Sequence, residues 1–255
     1  MKNAFFLILF LFSSTFCFAQ DYFVTAENGL LVRKYPNDSA KIIGKFDFGT
    51  RITSSRKTNY SYSVNENGEK IDGFWTWVEI SPYSSFASEE SKGYVFNGFL
   101  KKEKDFIAEI KEKMSRLPVL DNYKIDIKND VFCLKGDFFG DSIADLAILI
   151  KDNKDDKRIV FINYQKNSIP KTLFLGGKND PFKMEYYNWV GYFRKINEGE
   201  ILYSNYDDDF RGLEDVPQDE RVVLSYDAIY IHQEESCGGG FIFWKDEKFN
   251  WLQQE

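Results

Sequence analysis

The sequence predicts a mainly β protein made of a small barrel, one connecting helix and an antiparallel meander. Three observations predict it. Aromatic residues make up 18% of the 255-residue chain, with 25 Phe and 15 Tyr, and such side chains favour half-buried pleated sheets over helices. Short alternating apolar runs recur between turn residues. Only one stretch repeats its apolar residues at helical spacing.

The chain opens with Lys2 as its one early charge, an unbroken apolar run from Ala4 to Phe12, and a small and polar stretch from Ser13 to Ala19. That layout predicts a cleaved secretory signal over residues 1–20, and so a periplasmic or secreted protein. The run falls short of the ~18 apolar residues that a bilayer span needs. Phe16 beside Cys17 argues against lipidation there. No later segment is long and apolar enough to span a membrane after signal cleavage.

The remaining ~235 residues exceed a usual single domain, so two modules are expected. The divisions read as residues 21–101, a linker helix over 102–118, and 119–255. Of the 33 basic and 40 acidic residues, Lys2 lies in the leader and ten of each sign lie between Asp21 and Lys101, which leaves 22 basic against 30 acidic beyond. An acidic second half argues against nucleic acid or anionic lipid as partner, because phosphate binding needs clustered Lys and Arg. It suits a cationic partner. Cys133 and Cys237 remain after cleavage. They can close a disulfide in an oxidising compartment or stay as two buried thiols, Cys133 lying in the apolar run Val131-Phe132-Cys133-Leu134.

In the first module, Val24 and Ala26 alternate, Glu27-Asn28-Gly29 turns the chain, and Leu30 and Val32 share a face of the second strand. Pro36-Asn37-Asp38-Ser39 is a turn, in which Pro fixes φ and Asn or Asp bonds back to its own backbone. Ile42-Ile43 leads to a break at Gly44, Phe46 resumes, and Gly49 permits a tight bend before Ile52. Trp77, Val78 and Ile80 form another strand, and Tyr94 to Leu100 the last.

These residues resemble the bacterial SH3-like (SH3b) domains. Gly29-Leu30-Leu31-Val32-Arg33-Lys34-Tyr35-Pro36 is similar to the opening signature, and Ile43-Gly44-Lys45-Phe46 with Gly49-Thr50 to the second. Trp77-Val78-Glu79-Ile80 resembles the central tryptophan strand, and Gly93-Tyr94-Val95-Phe96-Asn97-Gly98-Phe99-Leu100 the closing one. Tyr35 stands where the family usually has Gly. Polar insertions run from Ser54 to Asp72 and from Ser81 to Ser91, where members usually have shorter loops. The resemblance implies an SH3-like barrel and an adaptor that contacts the cell wall or a wall peptide, with Arg33 and Tyr35 at its contact surface. Family members are often joined to papain-like peptidases, but Cys133 lies between Phe132 and Leu134, and Cys237 follows the lone His232 by five residues. Neither context fits a nucleophile activated by a downstream histidine.

Lys101 to Arg116 reads as a helix, with Ile107, Ile110, Met114 and Leu117 at spacings of three and four, Glu109 placed to pair with Lys113, and Pro118 as the stop. Beyond it, strands are expected over Ala144–Lys151, Arg158–Tyr164, Thr172–Leu175, Trp189–Ile196, Arg221–Ser225, Asp227–His232, Gly240–Lys245 and Lys248–Gln253. The last two flank a two-residue turn, Asp246-Glu247.

Two loops in this half carry possible chemistry. Asp137, Asp141 and Asp145, at positions 1, 5 and 9 of a loop that runs into an apolar strand, resemble the calcium loops of FG-GAP repeat proteins, in which oxygens converge on a hard cation. Phe139 stands where that pattern has Asp or Asn, and Ser142 where it has Gly. The plainer reading is a turn whose Asp side chains bond to nearby backbone, with no cofactor. Glu234 to Gly240 carries three glycines but no phosphate-loop Lys, so it reads as a bulged hairpin. Tyr186, Tyr187, Trp189 and Tyr192 read as core residues rather than as a carbohydrate platform. With no catalytic constellation in view, the chain is expected to be a non-catalytic binding protein for cell-envelope material such as peptidoglycan or a wall peptide. The alternative is an inhibitor of a lysozyme-like hydrolase, since periplasmic proteins of that kind are similar β-rich folds with one acidic loop.

Overall fold

The computed structural model describes residues 20–66, 68–80, 91–205, 211–234 and 238–254, leaving aside the side chains of residues 55 and 56. The first module supplies strands β1 (Gln20–Val24), β2 (Leu30–Arg33), β3 (Ile42–Phe46), β4 (Arg51–Glu66), β5 (Glu69–Glu79), β6 (Lys92–Phe96) and β7 (Leu100–Lys102). They form one antiparallel sheet in the order β3-β2-β6-β5-β4-β1-β7. Val24, Leu30, Val32, Ile43, Phe46, Ile52, Val78 and Val95 meet in one buried cluster, with Leu100 of β7 packed against it. Residues from both ends of the sheet share that cluster, so the sheet curls around its own core. The end strands β3 and β7 do not pair among the described residues, and the ladder stays open.

The first polar insertion is not a loop. Ser54 to Asp72 forms most of the β4–β5 hairpin, with Tyr62 opposite Gly73, Val64 opposite Ile71, and a turn at Gly68 (φ +84°). Alternating Tyr and Val among Ser and Thr provides a pleated surface, and polar partners close the ladder: Thr58 Oγ1 donates to the Trp75 carbonyl (2.7 Å) and Ser63 Oγ to Asp72 Oδ1 (2.5 Å). The second insertion, apart from Ser91, lies outside the described residues, as does the expected leader apart from Gln20, which pairs with Ser54.

The helix α1 (Glu103–Ser115) starts two residues later than its periodicity predicts, because Lys101 is already paired with Phe23 in β7. Its buried stripe is Phe106, Ile110 and Met114, with Ile107 only half-buried. Glu109 binds Lys101 (2.5 Å) and Lys113 (3.6 Å). Pro118 opens a short 3-10 turn.

The second half holds β8 (Lys124–Ile125), β9 (Cys133–Gly136), β10 (Asp145–Lys151), β11 (Lys157–Asn163), β12 (Lys171–Leu175), β13 (Val190–Ile196), β14 (Ile201–Leu202), β15 (Val222–Val223), β16 (Ala228–Gln233), β17 (Gly239–Lys245) and β18 (Lys248–Gln253). The expected single meander divides into sheets. One runs β12-β11-β10, with β9 and β8 end to end on the free edge of β10; another runs β13-β16-β17-β18; β14 and β15 pair separately. Both larger sheets give side chains to one core, including Ile148, Phe161, Ile231, Ile242 and Phe249.

The two halves are welded. Alternation along β1 turns Val24 into the first module's core and Phe23 away from it. The Phe23 ring stacks on Phe106 (4.7 Å between centroids) and meets the edge of Phe132 (5.1 Å). Beside them Thr50 bridges Val131, and the Arg51 amide donates to the Asp130 carbonyl (2.9 Å).

Candidate functional site

Arg33 and Tyr35 sit at the end of β2 and in the turn beyond it. The Arg33 guanidinium donates to the Ala40 carbonyl (2.7 Å), which ties the Pro36–Ser39 turn to the sheet. Tyr35 is 59% exposed. Arg33 therefore holds its own loop together, and Tyr35 is the part of that pair open to a ligand.

The acidic loop connects β9 to β10, and it does bring its three carboxylates together: one oxygen from each of Asp137, Asp141 and Asp145 lies within 4.8 Å of the others. Backbone amides hold them there. Asp137 accepts from Gly140 (2.6 Å) and Asp141 (3.1 Å) on Oδ1 and from Ser142 (2.8 Å) on Oδ2. Asp141 accepts from Ile143 (3.0 Å). Asp145 is fully buried and accepts from Phe138 (3.0 Å), Tyr164 (3.1 Å) and Asn163 Nδ2 (3.0 Å). Burial, helped by the nearby Asp141, pushes its carboxyl up to about 7 although these three donors favour the anion. Such a loop keeps its shape on its own hydrogen bonds, and its three carboxylates are the described residues best placed to hold a hard cation. Phe139 is an anchor for this loop: its ring packs edge-on against Trp244 (4.9 Å), Phe249 (5.4 Å) and Phe161 (5.9 Å). Ser142 takes over the left-handed backbone (φ +62°) that a glycine would supply.

Cys133 is a free, wholly buried thiol, and burial raises its pKa far above the ordinary value, so it stays protonated. Cys237 lies outside the described residues. His232 lies between the rings of Tyr230 (5.8 Å) and Tyr192 (5.9 Å), and its Nδ1 is 2.5 Å from the Gln233 carbonyl oxygen.

One concavity among the described residues is not announced by the sequence. A cleft of about 900 Å3 lies where the two halves meet, bounded by the Phe46–Thr53 and Glu79–Ile80 segments on one side and by Lys128–Val131, Asn188–Arg194 and Gln233–Glu234 on the other. Domain junctions are common places for ligand sites. Its cationic floor is committed to structure. Lys157 Nζ contacts Asp126 Oδ2 (3.1 Å) and donates to Asn129 Oδ1 (3.0 Å) and the Val190 carbonyl (2.8 Å). Asp126, 2% exposed, also pairs with Lys151 (3.2 Å). Burial works to raise the Asp126 pKa, but Lys157 and Lys151 outweigh it and hold the carboxyl below its ordinary value. Arg51 donates to Glu103 (3.0 Å) and to the Ile127 carbonyl (2.7 Å), with its guanidinium 5.2 Å from the Phe23 ring centre. At the rim, Asp130 and Glu234 are exposed, while Trp189 and Tyr192 are half-buried.

Neither Arg33 nor Tyr35 nor any of the three Asp residues lines this cleft. It is assembled from segments up to 188 positions apart, Phe46 to Glu234, and of its lining only Trp189, Tyr192 and Glu234 stood out beforehand among the candidate functional residues. No protein-family model, curated protein or solved structure matches the chain.

Proposed function

We propose that this chain is an exported, non-catalytic binding protein that contacts cell-envelope material, peptidoglycan or a wall peptide, through the cleft between its two halves. The observation that carries the reading is a roomy cleft with fixed walls. Its floor is locked by the Lys157–Asp126 and Arg51–Glu103 pairs, and its rim keeps exposed polar groups beside two aromatic rings. An SH3b-like first half is supported by the way its four signature segments fall on the adjacent strands β3, β2, β6 and β5 of one sheet, the last segment running on from β6 to β7 at the sheet's far end. The protonated, core-bound Cys133 supports a non-catalytic role, since a thiol in that state is no nucleophile.

Co-sedimentation of residues 20–255 with purified insoluble peptidoglycan tests the proposal: the protein should pellet with the wall material and stay in solution without it. A protein that stays soluble in both removes the wall-binding reading. The alternative, an inhibitor of a lysozyme-like hydrolase, draws on the eight-residue acidic excess beyond Lys101. Stoichiometric inhibition of such a basic enzyme, without wall pelleting, would select it.

A further inference from the structure

The fold sorts the four aromatic residues crowded between positions 186 and 192 into three places. Tyr187 goes into the core, its hydroxyl donating to Asp180 (3.0 Å). Tyr186 lies by the Arg158 guanidinium (5.9 Å), away from the cleft lining. Trp189 and Tyr192 line the cleft.

The groups around that ring pair restrict what they can face. Lys157 and Arg51 are engaged by Asp126, Asn129 and Glu103, so a polyanion finds no ready cation on the floor. The same lining carries Asp47, Glu79, Asp130 and Glu234 against the remaining cations Lys128 and Arg194, which further disfavours an anionic ligand. An apolar ligand would leave these polar groups dry and unpaired. A neutral, polyhydroxylated ligand meets none of these objections: its C–H faces pack on Trp and Tyr rings, while its hydroxyls donate to carboxylates and exchange bonds with the Gln233 amide. The volume, about 900 Å3, lies within the ~300–1,000 Å3 of small-ligand sites. Gly191 sets the local geometry, because a Cβ there would lie 2.9 Å from the Glu234 amide nitrogen and 2.6 Å from its Cβ, pushing that acid off the rim.

We infer that the cleft binds an uncharged oligosaccharide, with Trp189 and Tyr192 as the stacking surface and Asp130, Gln233 and Glu234 as the hydroxyl partners. This rests on the wall-binding reading and names the glycan strand, not the peptide, as the part held.

The experiment is isothermal titration of residues 20–255 with peptide-free N-acetylglucosamine oligomers, beside co-sedimentation with intact peptidoglycan. Saturable binding is expected, weakened at least tenfold in Trp189→Ala and Tyr192→Ala with the melting temperature retained. Exposed Gln233→Ala, expected to weaken binding several-fold, decides the matter if the aromatic variants unfold. Pelleting with peptidoglycan but no heat from the oligomers overturns the glycan inference and leaves wall contact standing. Oligomer binding that the cleft variants do not alter, or capture only of amine-bearing wall peptides, overturns it as well. Oligomer binding without pelleting keeps the glycan site and removes the wall polymer as its source, and neither result removes both readings.

Discussion

Gly49 passes so close to Cys133 that a Cβ on the glycine would lie 1.8 Å from the cysteine's carbonyl oxygen. The Gly49 backbone is also left-handed (φ +79°). Gly49→Ala should therefore cost roughly 3 kcal/mol or more, the sum of left-handed strain and overpacking. Urea unfolding should show the loss as one cooperative transition; a variant within 0.5 kcal/mol of the parent, an estimate for ordinary surface changes, would contradict the contact.

The Asp246-Glu247 turn forms with both residues left-handed (φ +53° and +58°), Lys245 pairing with Lys248. That is the primed hairpin turn which favours Gly at its second position. Glu247→Gly should raise stability by about 1 kcal/mol, read as a higher melting temperature.

Asp145 sets a pH dependence. Its folded-state carboxyl titrates near 7, raised above the unfolded value of 3.8. The folded state thus prefers the protonated acid, and the contribution is complete below pH ~4 and lost as pH rises through ~7, on the order of 2–4 kcal/mol. Urea stability measured between pH 4.5 and 7.5 should fall with pH, and Asp145→Asn, whatever its own cost, should have lost that slope. Asp126 works in the opposite sense at lower pH, since its lowered pKa gives stability that disappears as pH falls below ~4.

The acidic loop has its own test. Should Asp137, Asp141 and Asp145 hold calcium, millimolar calcium raises the melting temperature, and Asp141→Ala, exposed and outside the core, abolishes the rise. No shift at millimolar calcium leaves the loop as a purely hydrogen-bonded turn.

Lys157→Met should destabilise by about 3 kcal/mol or more, because it leaves the buried Asp126 with Lys151 alone and strips Asn129 and the Val190 carbonyl of a donor. Asp126→Asn in the same chain should recover part of that loss by removing the buried charge, which a double-mutant cycle would quantify.

Much of the strand layout was legible. Lys248–Gln253 emerges at its expected bounds, and most other second-half strands within a residue or two, because alternation and turn residues are local signals. The Ser54–Asp72 hairpin was not, since its polar residues read as loop until a partner strand satisfies their backbone. Ile107 yielded its place on the helix to Phe106 because Phe23 and Phe132 lie on that side. Phe139 looked like a missing ligand because Trp244 and Phe249, the rings that hold it, are more than a hundred positions away. The acidic loop could be read because its parts are contiguous. The cleft could not, because it exists only after two sheets dock.

The Phe23–Phe106–Phe132 stack also dictates an order of events. A chain made from its N-terminus has all seven strands of the first sheet before either Phe106 or Phe132, the two rings that cover Phe23. A fragment ending at Lys102 would keep only the Arg51 guanidinium over that ring and should self-associate more readily than the whole chain, in which Phe106 and then Phe132 cover it. The first sheet is thus not a bead that can be moved alone to another protein: α1 and the segment around Phe132 have to travel with it to keep Phe23 covered.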